Sequence, residues 1–394
     1  MRVTHNCIFA FVFFNPCTIL FFLTVILFTS CAEEHISATN DEKEVLNFSE
    51  KVQENIDTNL SDKRNRFIEN YFQQRHKIKL FNGNILFAEK GQIIAHKSYG
   101  MAHFRNKEEL TEEHSFQLAS VSKTITAIAT LKLVEEGILN LNDSIQQFFP
   151  NFPYIGMDIH QLLSHRTGMS QYTHFCDRPD SIWPDKTKTI SNNDVLEIME
   201  QIVPLQNYPP NKRYYYCNTN YLILASIIEK VTNQKFGDYV KANIFIPSGM
   251  TNSCIYDRTN KDELIKPVQG YENRIPWEDV YLNGCVGDKN VYSTTGDLLK
   301  FDRALNLNLL INDSLKQMAF SPKNKTFKSN QNYGYGFRLK DHKEYGKIVY
   351  HTGWWKGFRS YYIKVIEKDQ TIIVLNNVKR GRFFNINELI SLLN

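Results

Sequence analysis

Phe116-Gln-Leu-Ala-Ser120-Val-Ser-Lys123-Thr-Ile-Thr-Ala-Ile-Ala-Thr-Leu131 is the stretch whose reading decides the fold: a serine and a lysine three apart at the mouth of an apolar helix. Residues i and i+3 share a helix face, so the Ser120 hydroxyl and the Lys123 amine project side by side. An ammonium set among Ile and Ala side chains loses hydration, which lowers its pKa and leaves an amine able to take the hydroxyl proton. Unpaired N–H groups at the helix N-terminus would stabilise negative charge developing on a carbonyl attacked by Ser120. A serine that merely caps a core helix gives the same local pattern, so the stretch needs partners elsewhere in the chain.

Upstream of it, Asn84 to Tyr99 gives two β-rich runs around Lys90-Gly91, a hairpin signal. Asp62 to Lys77 reads as a first helix with Phe67, Tyr71 and Phe72 on one side and an N-cap at Ser61 or Asp62. Downstream, Gly137 stops the Ser120 helix, and Leu139-Asn-Leu-Asn-Asp-Ser144 opens a mostly helical, aromatic-rich section. His160 to Met169 starts as a short helix and turns at Gly168, Tyr208-Pro-Pro breaks the chain, and Asn220 to Val231 returns as an apolar helix. Ile348 to Gly353, Ser360 to Ile366 and Thr371 to Asn376 are β-type runs, and Asn385 to Leu393 closes as a helix. Strands at both chain ends with helices between them predict an α+β fold: one antiparallel sheet built from the two ends, flanked by helices, with an inserted helical lobe.

The first 31 residues are a leader. Arg2 and His5 are followed by a run from Cys7 to Cys31 that is almost free of polar residues and ends Leu27-Phe-Thr-Ser-Cys31. That ending resembles a bacterial lipobox, which would make Cys31 a lipidated N-terminus and tie the protein to a membrane; an uncleaved anchor is the alternative. Either way the catalytic part would lie outside the cytoplasm. Residues 32–61, rich in Glu, Asp, Asn and Ser, read as a flexible tether, leaving 62–394 as the folded domain. A net charge of +4 is too mild to suggest nucleic acid, no phosphate-cradling loop appears, and neither His nor Cys spacing suggests zinc. Cys176, Cys217, Cys254 and Cys285 form no obvious disulfide framework.

Two motifs supply partners for Ser120. Tyr216-Cys-Asn218 stands just before the apolar helix, and His351-Thr352-Gly353 lies on an expected strand. Acyl transfer needs a nucleophile, a base, a proton carrier and donors for the oxyanion. Together with Leu162-Leu-Ser-His-Arg-Thr-Gly-Met169, Ile246-Pro-Ser-Gly-Met250, Tyr292-Ser-Thr-Thr-Gly-Asp-Leu298 and Tyr333-Gly-Tyr-Gly-Phe337, these motifs follow one another in the order of a known family. From about Asn84 to Asn377 the chain resembles the serine β-lactamase and penicillin-binding-protein family, in its class C branch with carboxypeptidase and esterase relatives.

That resemblance implies a class C β-lactamase-like fold and an acyl-enzyme formed on Ser120, with Lys123 and Tyr216 sharing base and acid duties and no metal or cofactor. It also implies that Asn218 orients Lys123 and substrate, that His351, Thr352, Gly353 and Trp354 border the substrate, and that the N–H groups of Ser120 and Trp354 form the oxyanion hole. His165 matches the family but reads as a structural, hydrogen-bonded residue. The departures bear on substrate: His351 stands where the family has lysine, so a fixed positive charge is replaced by an imidazole that is cationic only below its ordinary pKa of about 6.5. The expected function is an exported serine hydrolase acting on an ester, an amide or a D-amino-acid peptide. A D-Ala-D-Ala carboxypeptidase, a β-lactamase proper, and an idle wall- or partner-binding scaffold are the alternatives.

Overall fold

The computed structural model describes residues 40–56, 63–177, 183, 185–324 and 331–394, with side chains from residue 47 onward. The leader with Cys31, residues 32–39, and the expected capping positions Ser61 and Asp62 lie outside the described residues. Part of the stretch expected as a tether is instead helix: α1 spans Asn40–Glu54, and its Val52 is fully buried in the main core. The polar composition concealed the helical spacing of Val45, Phe48 and Val52 within it.

Helix α2 (Lys63–Lys77) leads into strands β1 (Gly83–Glu89) and β2 (Gln92–Tyr99), joined at Lys90-Gly91 as expected. Its buried face is set by Ile68 and Phe72, one turn apart, with Tyr71 packed beside them; Phe67 faces solvent, correcting the face read from its aromatic character. Helix α3 (Ser122–Glu135) follows the nucleophile, α4 (Asn218–Thr232) follows the Tyr216 motif, and α5 spans Thr295–Asn306. The chain then returns as β3 (Gln331–Tyr333), β4 (Arg338–His342), β5 (Gly346–Trp355), β6 (Phe358–Val365) and β7 (Gln370–Asn376), and closes in α6 (Ile386–Ser391).

Seven of these strands form one antiparallel sheet in the order β3-β4-β5-β6-β7-β1-β2, so the N-terminal hairpin pairs with the last strand of the C-terminal meander. Both faces are covered, which is why β6 and β7 are buried at every position and show no alternation of buried and exposed residues. Ile85, Phe87, Tyr361, Ile363, Ile372 and Val374 point to α2 and α6, whereas Leu86, Phe358, Tyr362, Ile373 and Leu375 point to the core shared with α3, α4 and α5. Helix α3 is buried on almost every side, and its buried threonines Thr124, Thr126 and Thr130 fit that position by donating to backbone carbonyls. The fold is α+β and class C-like, as expected.

Candidate active site

Ser120 sits in a single 3₁₀ turn, Ala119–Val121, that runs directly into α3. Ala119 holds φ +48°, a left-handed conformation costly for a residue with a Cβ, directly before the nucleophile. The ladder between β4 and β5 ends at the pair Arg338–Tyr350, so the edge of β5 beyond Tyr350 is left for the nucleophile's turn. The backbones meet at Gly353, where a Cβ would sit 3.0 Å from Ser120 N and closer still to Leu118 O and Ser360 Oγ. Gly336 makes a similar approach to α3, where a Cβ would stand 3.0 Å from Lys123 O. On β6, the Ser360 hydroxyl donates to Leu118 O and pins the turn from below.

Lys123 is fully buried, and its Nζ donates to Ser120 Oγ at 3.1 Å and to the Asp288 carbonyl at 2.7 Å. Burial lowers its pKa from 10.5 to about 8; the Asp288 carboxylate opposes that shift and the Arg338 guanidinium adds to it. The lowered pKa leaves more of the amine in the base form at neutral pH than an exposed lysine would have. The amine's second partner is a carbonyl from a distant loop and not Asn218, which was expected to orient it. Asn218 opens α4 with its N–H bound to Gln171 Oε1 at 2.8 Å, and its own Oδ1 is buried without a partner.

Tyr216 completes the cluster. Its ring lies 5.2 Å from Lys123 Nζ, and its hydroxyl is near enough to Ser120 to interact with it, yet it is buried and not aligned to close a hydrogen bond with any protein atom. Burial pushes the phenol up to about 12, so Tyr216 is neutral across the physiological range and can relay a proton but not rest as phenolate. Behind the ring, His165 packs at 4.4 Å between centroids and accepts the Cys217 N–H at 3.2 Å through Nδ1. Burial, with Lys123, His351 and Arg338 nearby, holds that imidazole neutral, the structural role expected for it. Gln171 braces the same turn, donating to Tyr216 O at 2.7 Å.

His351 is not where its sequence position suggested. Its side chain is fully buried, Nε2 lies 3.2 Å from Tyr333 Oη, and Nδ1 lies 2.9 Å from Thr352 O. Burial first, then the neighbouring cations Arg338 and Lys123, keep its pKa well below 6.5. It cannot become the cation that a substrate carboxylate would meet near pH 6. Thr352 is half-buried, and Trp354 is 49% exposed on the rim with its ring 5.5 Å from Lys379 Nζ.

A second cation, Arg338, stands near Tyr216, and motif reading missed it. It stands on β4, one residue after Tyr333-Gly-Tyr-Gly-Phe337, and its register opposite Tyr350 and next to Tyr333 places the guanidinium 5.1 Å from the Tyr216 ring. Burial works against its charge, but the hydroxyls of Tyr214, Tyr216, Tyr333 and Tyr350 hold its pKa above the ordinary value, and its Nε is buried with no partner. An arginine on the strand neighbouring His351-Thr-Gly was the available signal. All four cysteines of the folded part are free.

A family model described as Beta-lactamase matches residues 68–392. Penicillin-binding protein 4* of Bacillus subtilis (strain 168) is 33% identical over 332 residues, covering 81% of this chain and 73% of that protein. The solved penicillin-binding protein of Bacillus halodurans superposes with a TM-score of 0.71 at 22% identity, over 84% of this chain and 98% of the other. The D-amino acid amidase of Ochrobactrum anthropi SV3, complexed with D-phenylalanine, gives 0.70 at 22% identity over 84% and 98%. At such identities these two structures speak to the fold alone.

Proposed function

The chain belongs to the beta-lactamase family and is a serine hydrolase, and from that premise we propose that it is an exported enzyme transferring the acyl group of a D-amino-acid peptide to Ser120 and then to water. The observation that carries the substrate class is Arg338, a cation beside Tyr216 with an unpartnered buried Nε, suited to a carboxylate on the leaving group. A penicillin-binding relative is consistent with an acyl donor of that kind.

In acylation, neutral Lys123 removes the Ser120 proton across 3.1 Å while Oγ bonds to the scissile carbonyl carbon. The carbonyl oxygen gains the negative charge, which the N–H groups of Ser120 and Trp354 would receive. Tyr216 then gives its proton to the leaving nitrogen, and the C–N bond breaks; the proton on Lys123 replaces the one Tyr216 has lost. Water repeats the sequence on the ester, with its oxygen bonding to the carbonyl carbon and Ser120 departing with a proton. Asn218 Oδ1, buried and unpartnered, is free to accept an amide N–H of the acyl donor.

Export forms part of the proposal and rests on the apolar run that ends at Cys31. Cys31→Ser should move the protein from the membrane to the soluble fraction; retention with residues 1–30 still attached would identify an uncleaved anchor. The substrate class is tested with two peptides that share an acyl group and end in D-alanine or D-alaninamide. Wild type should release D-alanine faster, and Arg338→Gln should abolish the preference. Equal rates in wild type would remove the carboxylate, and with it the peptide class, from the proposal.

A further inference from the structure

Away from Ser120, three segments converge on a cavity of about 580 Å³ that contains no acidic residue. The end of α2 and the turn after it contribute His76, Lys77 and Lys79; the hairpin at 273–275 contributes Arg274; and the segment after Val378 contributes Arg380. The segments are fixed to one another. Asn273 N donates to Lys379 O, a side chain at Gly381 would meet Leu80 Cδ2 at 3.1 Å, and Arg359 donates to the carbonyls of Arg380 at 3.0 Å and Arg382 at 3.3 Å. The nearest acid of the hairpin, Glu272, is tied to Lys379 at 2.8 Å. Among the described residues, Lys77, Lys79, Arg274 and Arg380 have no carboxylate partner.

Each segment sets an exposed apolar side chain next to its cations. Ile78 is 62% exposed between Lys77 and Lys79, Ile275 is 72% exposed after Arg274, and Phe383 is 46% exposed after Arg380 and Arg382. A site for a soluble anion gains nothing from exposed Ile and Phe, whereas a lipid leaflet takes both kinds of group. Its headgroup phosphates meet the cations and its acyl boundary receives the apolar side chains.

We propose that the face formed by Lys77–Leu80, Asn273–Ile275 and Arg380–Phe383 is a docking surface for an anionic lipid leaflet. Each cation brought to such a surface strengthens attachment on the order of fivefold at low screening. Along the chain the third segment of this face begins one residue after Lys379, whose Nζ lies 5.5 Å from the Trp354 ring.

The test uses the full chain reconstituted in vesicles, either of phosphatidylcholine alone or enriched in phosphatidylglycerol, with amide exchange as the readout. The two vesicle types are compared at equal amounts of bound protein, so that only the docking differs. Exchange at 77–81, 273–276 and 380–383 should slow on the order of tenfold in the anionic vesicles, and salt should reverse the effect. The variant Lys77→Glu/Lys79→Glu/Arg274→Glu/Arg380→Glu should lose this protection while keeping the wild-type urea midpoint. Ile78→Ser/Ile275→Ser should weaken it. Equal exchange in the two vesicle types, full protection in the serine variant, or the same protection from soluble polyphosphate without lipid would each overturn the proposal.

Discussion

Strand β6 presents two clusters of buried charge on one face, and they are built in opposite ways. At one end, Ser360 holds the turn that carries Ser120, and the groups around that turn are cations and phenols with loose ends: Tyr216 Oη, Asn218 Oδ1, His165 Nε2 and Arg338 Nε are all buried without a hydrogen bond to protein. At the other end, Asp302 of α5 is saturated. Tyr362, Lys364, Arg303 and Thr371 all donate to it at 2.8–3.0 Å, and Arg303 passes on to Asp369. Unpaired buried polar atoms cost stability, so leaving four of them at one site is the mark of a place that awaits a ligand. The Asp302 cluster is closed and locks α5 to the sheet.

The sharpest way to test the contrast is to remove one group from each cluster. Ser120→Ala should lower turnover on the order of 10⁴-fold or more, while the urea midpoint stays at or above wild type. A variant retaining activity would show that the open cluster is not the catalytic one. Asp302→Asn should do the reverse, costing about 3–5 kcal/mol of stability because Lys364 and Arg303 remain buried with only the part-exposed Asp369 as anion, with kcat per folded molecule unchanged. Acid should expose the same difference. Burial raises the Asp302 pKa, but Lys364 and Arg303 more than offset it, so the folded pKa is depressed. Its contribution is then complete above the unfolded carboxyl value of about 4 and is lost as pH falls below that, so wild type should lose stability in acid more steeply than Asp302→Asn.

A smaller effect probes the electrostatics of the open cluster. Lys123 must be neutral to act as base, so kcat/KM should climb with pH through about 8. Because Arg338 disfavours the ammonium, Arg338→Gln should raise the Lys123 pKa and move that limb to higher pH. A limb that stays in place would mean that the two charges do not interact. The smallest effect expected is none at all. With His351 buried and neutral and Arg338 permanently charged, the ratio of kcat/KM for carboxylate and neutral substrates should vary by less than about twofold between roughly pH 5.5 and 8. A ratio rising as pH falls would return the carboxylate contact to His351.

Much of the molecule was legible in one dimension. The hairpin at Lys90-Gly91, the apolar helix after Tyr216, the strands at both ends and the serine–lysine spacing are local patterns, set by side-chain periodicity and by residues within a turn of one another. These determined the fold class and named the groups that now meet at Ser120. Local pattern could not say which ionisable groups carry charge, because that depends on burial and on neighbours brought from other strands. The register of β4 against β5 put Arg338, to which the sequence reading gave no role, beside Tyr216, and His351 is buried within reach of Tyr333. In the same way, Asp288 reached Lys123 from across the chain, and Val52 turned an expected tether into a helix. Sequence thus determined the elements and the reacting groups, while tertiary packing decided their protonation and their partners, since desolvation and Coulomb fields act through space and not along the chain.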